Sequence, residues 1–391
     1  MSSREVYLDH AATTPLADQV FNKMKPYFSE KFGNPSALHQ LGVEAKEAIA
    51  EARETVADNF KTQPDTCFFT GSATEANNMA LLGAARKYSD EGKHIITTKI
   101  EHSSVLNPLE KLEGEGFEIT YLDVDENGWI DLDELEDKLR EGTILVSLMY
   151  VNNEIGNVYP IQEIGRTILS HRKEYDTRFP LFHSDACQAA NYFHLDVRKL
   201  HTDLLVINGS KIYGPKGVGV LYKDRDVELE PIIYGGGQEQ GLRSGTENVP
   251  YIVGAAEALD KAQKNKEDEK ARLYRIQQYF YNQLQDKFNS KIIPNGPKTE
   301  EGKRSPNNIN ISFKNIEGEK LLLYLDSEGI YCSTGSACSS NKSEGHKSVV
   351  STISECECGS NSIRFTTGKS TTKEDIDYTL EKLDKILAKI S

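Results

Sequence analysis

Cysteine is scarce in this sequence of 391 residues, with six copies scattered at positions 67, 187, 332, 338, 356 and 358. So sparse a set in so large a chain is not a disulfide framework, and it points to a reducing cytoplasm. Long apolar runs are missing too. None approaches the length of a membrane span, and Met1-Ser2-Ser3-Arg4-Glu5 lacks the core of a signal peptide. Positive charge is in deficit: Lys and Arg number 46 against 60 Asp and Glu, for a net charge of -14. Neither nucleic acid nor a membrane surface is expected as a partner. There is no internal repeat and no low-complexity tract. What remains is an ordinary globular composition, long enough for two domains or for one large domain with a satellite.

Leu41, Ala45, Ala48, Ile49, Ala52, Val56 and Phe60 lie on one face of a helix. Cys67 to Thr70 reads as a strand that runs through Gly71-Ser72-Ala73-Thr74 into a helical stretch. Such a helix start can hold an anion with its backbone N–H groups and dipole, or it can simply be capped. From residue 92 strands and helices alternate. Strands are predicted at 94–98, 117–122, 143–150, 179–182 and 204–207, and helices at 105–112, 132–139 and 161–168. Residues 168–179 read as a surface insertion. Alternation over this length means an α/β fold with a mostly parallel sheet flanked by helices. Ligands bind outside the carboxyl ends of such strands. The polar residues that follow them are Glu101-His102, Asn152-Asn153-Glu154, Asp185 with Gln188, and Lys211.

The charged stretch 254–290 carries an apolar stripe and predicts one or two helices bridging to a second part of the chain. Pro294-Asn295-Gly296-Pro297 is a turn cluster. Short strands follow at 309–313, 329–332 and 362–365. A final helix has Ile376, Leu380, Leu383 and Leu387 on one face, and Thr372 with Asp375 makes its capping box. This second part reads as α+β.

Lys211 alone reads as a solvated turn lysine. Its company changes that. It follows a buried strand, 26 residues after Asp185, in a chain that also offers an anion-binding helix start and His102. Pyridoxal phosphate needs these parts: an amine to bond its aldehyde, a carboxylate to keep the pyridine nitrogen protonated, and a seat for the phosphate.

With those residues in view the chain resembles the cysteine desulfurases of the class V aminotransferase family over nearly its whole length. The resemblance is carried by Tyr7-Leu8-Asp9-His10-Ala11-Ala12-Thr13-Thr14-Pro15, Gly33-Asn34-Pro35-Ser36 and Gly71-Ser72-Ala73-Thr74-Glu75-Ala76-Asn77-Asn78. Further matches are Val151-Asn152-Asn153-Glu154-Ile155-Gly156, Lys211 to Gly219, Arg243-Ser244-Gly245-Thr246 and Ser333-Thr334-Gly335-Ser336-Ala337-Cys338. It implies a fold-type I transferase that uses pyridoxal 5'-phosphate. A large cofactor-binding domain would span 15–261. A small α+β domain of 1–14 and 262–391 would carry a mobile cysteine loop at about 333–350.

By the same resemblance Lys211 holds the cofactor, Asp185 pairs with its ring nitrogen, His102 stacks on the ring and Gln188 donates to the ring oxygen. Ala73 and Thr74 hold the phosphate, and Thr246 reaches the cofactor of the partner subunit in a homodimer. Arg364, assisted by Asn153, anchors the substrate carboxylate. Where the family has Ser-x-His-Lys this chain has Asn208-Gly209-Ser210-Lys211, so Asn208 and Ser210 are expected to replace the missing imidazole at the phosphate. Cys338 is the expected nucleophile, with His102 as its base. L-cysteine would become L-alanine, and the sulfur would pass to Cys338 and on to an acceptor such as an iron–sulfur scaffold or a tRNA-thiolation protein. No firm metal site is expected, although Cys338 could ligate an iron–sulfur cluster during transfer. Cys356-Glu357-Cys358 reads as loop cysteines, with a metal or persulfide relay as the other possibility. The rival readings are a selenocysteine lyase or aminotransferase on the same fold, and a weakly catalytic scaffold for sulfur-transfer partners.

Overall fold

A computed structural model describes residues 4–334, 348–353 and 360–390. Its strands in chain order are β1 (Val6–Tyr7), β2 (Cys67–Thr70), β3 (His94–Thr98), β4 (Glu118–Leu122), β5 (Thr143–Ser147), β6 (Leu181–Asp185), β7 (Leu204–Asn208) and β8 (Gly219–Lys223). They continue with β9 (Ile292–Pro294), β10 (Asn308–Phe313), β11 (Ile330–Tyr331), β12 (Ser333–Thr334) and β13 (Ser362–Thr366).

The central sheet has seven strands in the order β2-β8-β7-β6-β5-β3-β4. The run from β7 to β4 is parallel, and β8 is antiparallel to both neighbours. Two reversals return β2 to the common direction, so every strand but β8 ends on one side. Every residue of β2, β3, β5 and β6 is buried, as a sheet covered on both faces requires. One face packs on the helix Gln40–Phe60 through Ala45, Ala52, Val56 and Phe60, and the other on Ala73–Lys87 through Ala76, Met79, Ala80 and Ala84. Gly219 lets β8 pass close to the second helix, because a Cβ there would lie 2.5 Å from the Ser72 carbonyl carbon.

A second, antiparallel sheet, β12-β13-β10-β9, lies towards the C-terminus, and β1 pairs in parallel with β11. Val6, Leu8, Phe280, Phe313, Phe365, Leu383 and Leu387 share its core. Phe280 and Phe365 meet edge to face, with ring centroids 5.4 Å apart. One helix, Val249–Phe288, joins the two cores. It contributes Ile252, Val253 and Leu259 to the first and Phe280, Leu284 and Phe288 to the second.

Several boundaries differ from the sequence reading. The bridging stretch is a single helix of 40 residues. The strand expected at 179–182 is Leu181–Asp185. Pro180 has no N–H for the ladder, and the polar end of the strand, His183-Ser184-Asp185, is buried behind the site. The expected insertion at 168–179 is largely helix, because Ile161 continues to Glu174. Arg172 donates from Nε to the Pro180 carbonyl at 2.8 Å and pairs with Asp203, which ties that helix end to the sheet. Helices Asp18–Met24 and Gly318–Ser327 and strand β9 were not anticipated. The capping box forms: Asp375 N–H donates to Thr372 Oγ1 at 3.3 Å, and Thr372 N–H donates to Asp375 Oδ2 at 2.9 Å. Among the described residues no helix is long and apolar enough to cross a membrane.

Candidate active site

The ends of β2, β3, β5, β6 and β7 converge on a cavity of about 270 Å³. Nine of the expected residues line it: Ala73, Thr74, His102, Asn153, Asp185, Gln188, Asn208, Lys211 and Arg364. All but Arg364, which lies within β13, end a strand or follow one. Asp185 is the last residue of β6, and Lys211 lies in a short helical turn directly after β7. Ala73 and Thr74 open the helix Ala73–Lys87, whose N-cap Ser72 accepts from Glu75 N–H at 3.1 Å. The segment after β5 is held to β6 beyond the strand proper, since Leu148 and Tyr150 donate to the His183 and Asp185 carbonyls.

Asp185 is buried but not bare. Its Oδ2 accepts from Asn77 Nδ2 at 2.8 Å, and its Oδ1 accepts from Cys187 N–H at 2.9 Å. Burial pushes His102 below the ordinary imidazole range. Asp185 opposes that shift, and Lys211 adds to it. Lys211 Nζ donates to the Ala12 carbonyl at 2.5 Å, and Gln188 Nε2 donates to the Ala11 carbonyl at 2.9 Å. The segment Asp9 to Pro15 therefore supplies part of the cavity wall, through Ala11 and Ala12. Arg364 donates to the Asn153 carbonyl at 2.9 Å and pairs with Asp9 at 2.8 Å. Its Nε is buried without a hydrogen-bond partner among the described residues. A guanidinium with an unpartnered nitrogen beside a cavity suits a carboxylate.

Ser210 does not line the cavity. Its hydroxyl donates to Asn208 Oδ1 at 3.2 Å, and its backbone N–H donates to the same oxygen. Asn208, whose carbonyl oxygen is thus engaged, is left to present its amide Nδ2 as a donor. Thr246 also lies off this cavity, three residues after Arg243, which pairs with Glu75 at 2.7 Å. Cys338, Cys356 and Cys358 lie outside the described residues.

Sequence reasoning gave no role to Asp9, Asn77 and Ser104, and it collected Glu154 without assigning it one. Asn77 is four residues after Ala73 on the same helix and so shares its face, a signal open to the sequence. Ser104, two residues from His102, donates its N–H to the His102 ring at 3.1 Å. Glu154 accepts the Val349 N–H at 2.9 Å, and burial raises its carboxyl to about 7 against the pull of Arg364.

This donor set fits pyridoxal phosphate. A helix N-terminus can take the phosphate, Lys211 the aldehyde and Asp185 a protonated ring nitrogen. The aminotransferase class-V family model matches residues 6–379. The chain belongs to that family. Among class-V relatives, a cysteine desulfurase IscS from Dictyoglomus turgidum is 47% identical over 387 residues, which cover 99% of this chain and 95% of the relative. Another, from Clostridium botulinum, is 41% identical and covers 98% and 95%. A solved structure described as a NifS-like protein superposes with a TM-score of 0.90 at 35% identity, covering 98% of this chain and 100% of its own.

Proposed function

We propose that this class-V chain is a pyridoxal-phosphate-dependent cysteine desulfurase that converts L-cysteine to L-alanine and leaves a persulfide on Cys338. The observation that carries the reading is the convergence of Lys211, Asp185, His102 and Arg364 on one cavity, in a chain 47% identical to a relative of that name. When bound, pyridoxal phosphate supplies an aldehyde for amines and an electron sink that loosens bonds at the substrate Cα and Cβ.

Arg364 holds the substrate carboxylate, and Asn153 sits beside it. Lys211 would hold the cofactor through its aldehyde and, once its amine is free, would move the Cα proton. Asp185, whose two oxygens each already accept one hydrogen bond, would pair with the ring nitrogen of the cofactor. The Cys338 thiolate then attacks the substrate sulfur. The C–S bond breaks, an S–S bond forms, the sulfur is oxidised to the persulfide level and Cβ is reduced to the methyl of alanine. Thr246 is assigned to the cofactor of a second copy in a homodimer, and Asn208 to the phosphate. The large domain is taken as 15–261, with 1–14 and 262–391 as the small one. The setting is the cytoplasm, and the persulfide passes to an acceptor protein such as an iron–sulfur scaffold.

The test is to add L-cysteine to the purified protein and to measure alanine and the mass of the Cys338 peptide together. Equal alanine and persulfide in the first turnover are expected, with both lost in Cys338→Ser. Alanine at the parent rate from Cys338→Ser removes the cysteine from the reaction.

A further inference from the structure

A buried hydrogen-bond chain runs behind the cavity, and its polarity is fixed from both ends. Asp185 accepts only, so the group facing its Oδ2 is the Asn77 amide nitrogen, which also donates to Ser104 Oγ at 2.8 Å. Asn77 Oδ1 therefore faces His183, and the ring nitrogen 3.2 Å away, Nε2, carries a proton. His183 Nδ1 is left to accept from Ser147 Oγ at 2.8 Å. At the other end the Ser104 backbone N–H, a donor only, lies 3.1 Å from His102 Nδ1. Ser104 Oγ, already accepting from Asn77, gives its own proton to the same Nδ1 at 2.8 Å. Asn77, His183 and Ser147 are completely buried, so water does not compete for these bonds.

We infer that Asn77 and Ser104 are positioning residues that hold His102 neutral with its one proton on Nε2, so that it faces the cavity as a hydrogen-bond donor and not as a base. Two donors converge on Nδ1, and a proton placed there would displace both. His102 is moreover the N-cap of the helix Ser103–Gly114, where the dipole disfavours a cation. The charged groups facing the ring are Asp185 and Lys211. A neutral ring that already holds its proton on Nε2 cannot take one there from Cys338. The sequence-based expectation of His102 as the base is replaced by an Nε2–H that donates a hydrogen bond to the substrate sulfur and orients it for attack. This use of the donor rests on the desulfurase reading. The polarity of the chain does not.

The test is ¹⁵N spectroscopy of the full-length protein labelled at histidine, with and without pyridoxal phosphate. His102 is expected as the Nε2–H tautomer at neutral pH, titrating below the ordinary imidazole midpoint. Ser104→Ala removes one bond to the neutral form and should raise the midpoint by about half to one pH unit. Ser104→Thr keeps the hydroxyl and should titrate like the parent. An Nδ1–H signal in the parent overturns the inference, and so does a Ser104→Ala midpoint that stays in place. Failure of the protein to take up pyridoxal phosphate would count against the proposed function and leave the histidine measurement intact.

Discussion

Acid should destabilise this protein through one imidazole in particular, that of His183. The ring lies behind Asp185 between Ser147 and Asn77, and burial lowers its pKa to about 4, with Asp185 pulling weakly the other way. At pH 7 the residue is neutral both folded and unfolded and contributes nothing to pH dependence. Below about 6.5 the unfolded chain takes up a proton that the folded chain refuses. Stability is therefore fully present above 6.5 and is lost as the pH falls towards 4, at about 1.4 kcal/mol per pH unit. Between pH 7 and pH 5 the loss from this residue comes to about 2 kcal/mol. His94, also lowered to about 4, adds a loss of its own. The discriminating experiment is therefore a difference. His183→Gln keeps an amide that can bond to both neighbours but has no titration. Urea midpoints of parent and variant would be compared at pH 7 and pH 5, and the variant should lose about 2 kcal/mol less than the parent. Equal losses would mean that His183 is accommodated as a cation, and the burial argument would fail.

Glu154 has the opposite sign. Its folded pKa of about 7 lies above the ordinary carboxyl value, so the neutral form is favoured and stability falls as the pH rises through 7. Glu154→Gln should therefore melt higher than the parent at pH 8 and gain little at pH 5. Arg304 is fully buried and donates to the Pro297 and Asn295 carbonyls and to Asn308 Oδ1. Arg304→Met should cost about 3 kcal/mol or more in urea denaturation, because it strands three acceptors. At the substrate anchor, Arg364→Lys loses the planar fork and should raise KM for L-cysteine about tenfold or more, with a smaller change in kcat. Asn208→Ala should speed release of pyridoxal phosphate, followed by dialysis, more than Ser210→Ala does. The Ser210 hydroxyl reaches Asn208 and not the cavity.

Most of the site was legible because an α/β sheet delivers its ligands at strand ends, and strand ends are easy to find. Asp185, Lys211, His102 and Asn153 each follow an apolar run, and each lines the cavity. The partners of these residues were harder to read. Asp9 meets Arg364 across 355 positions, and Asn77 meets Asp185 across 108. No local pattern carries such pairings. The strand β6 shows the same limit within the fold. Its polar half, His183-Ser184-Asp185, breaks the apolar signal, yet it is buried because Asn77 and Ser147 satisfy the His183 ring. Periodicity finds surfaces that exclude water. It does not find polar groups that are dry because they are paired.

The pairing of β1 with β11 has a consequence for how the chain is made. Val6 leaves the ribosome 324 positions ahead of its partner in the ladder, Ile330. At about 5–20 residues per second the wait is roughly 15–60 s. Throughout it Val6 and Leu8, which end in the C-terminal core beside Phe313 and Phe365, have no native place to go. The strands of the central sheet, in contrast, all lie between residues 67 and 223 and can pair as they emerge. The cavity wall at Ala11 and Ala12 closes only when the N-terminal segment docks, so the pocket is completed only after its far partner strand has been made.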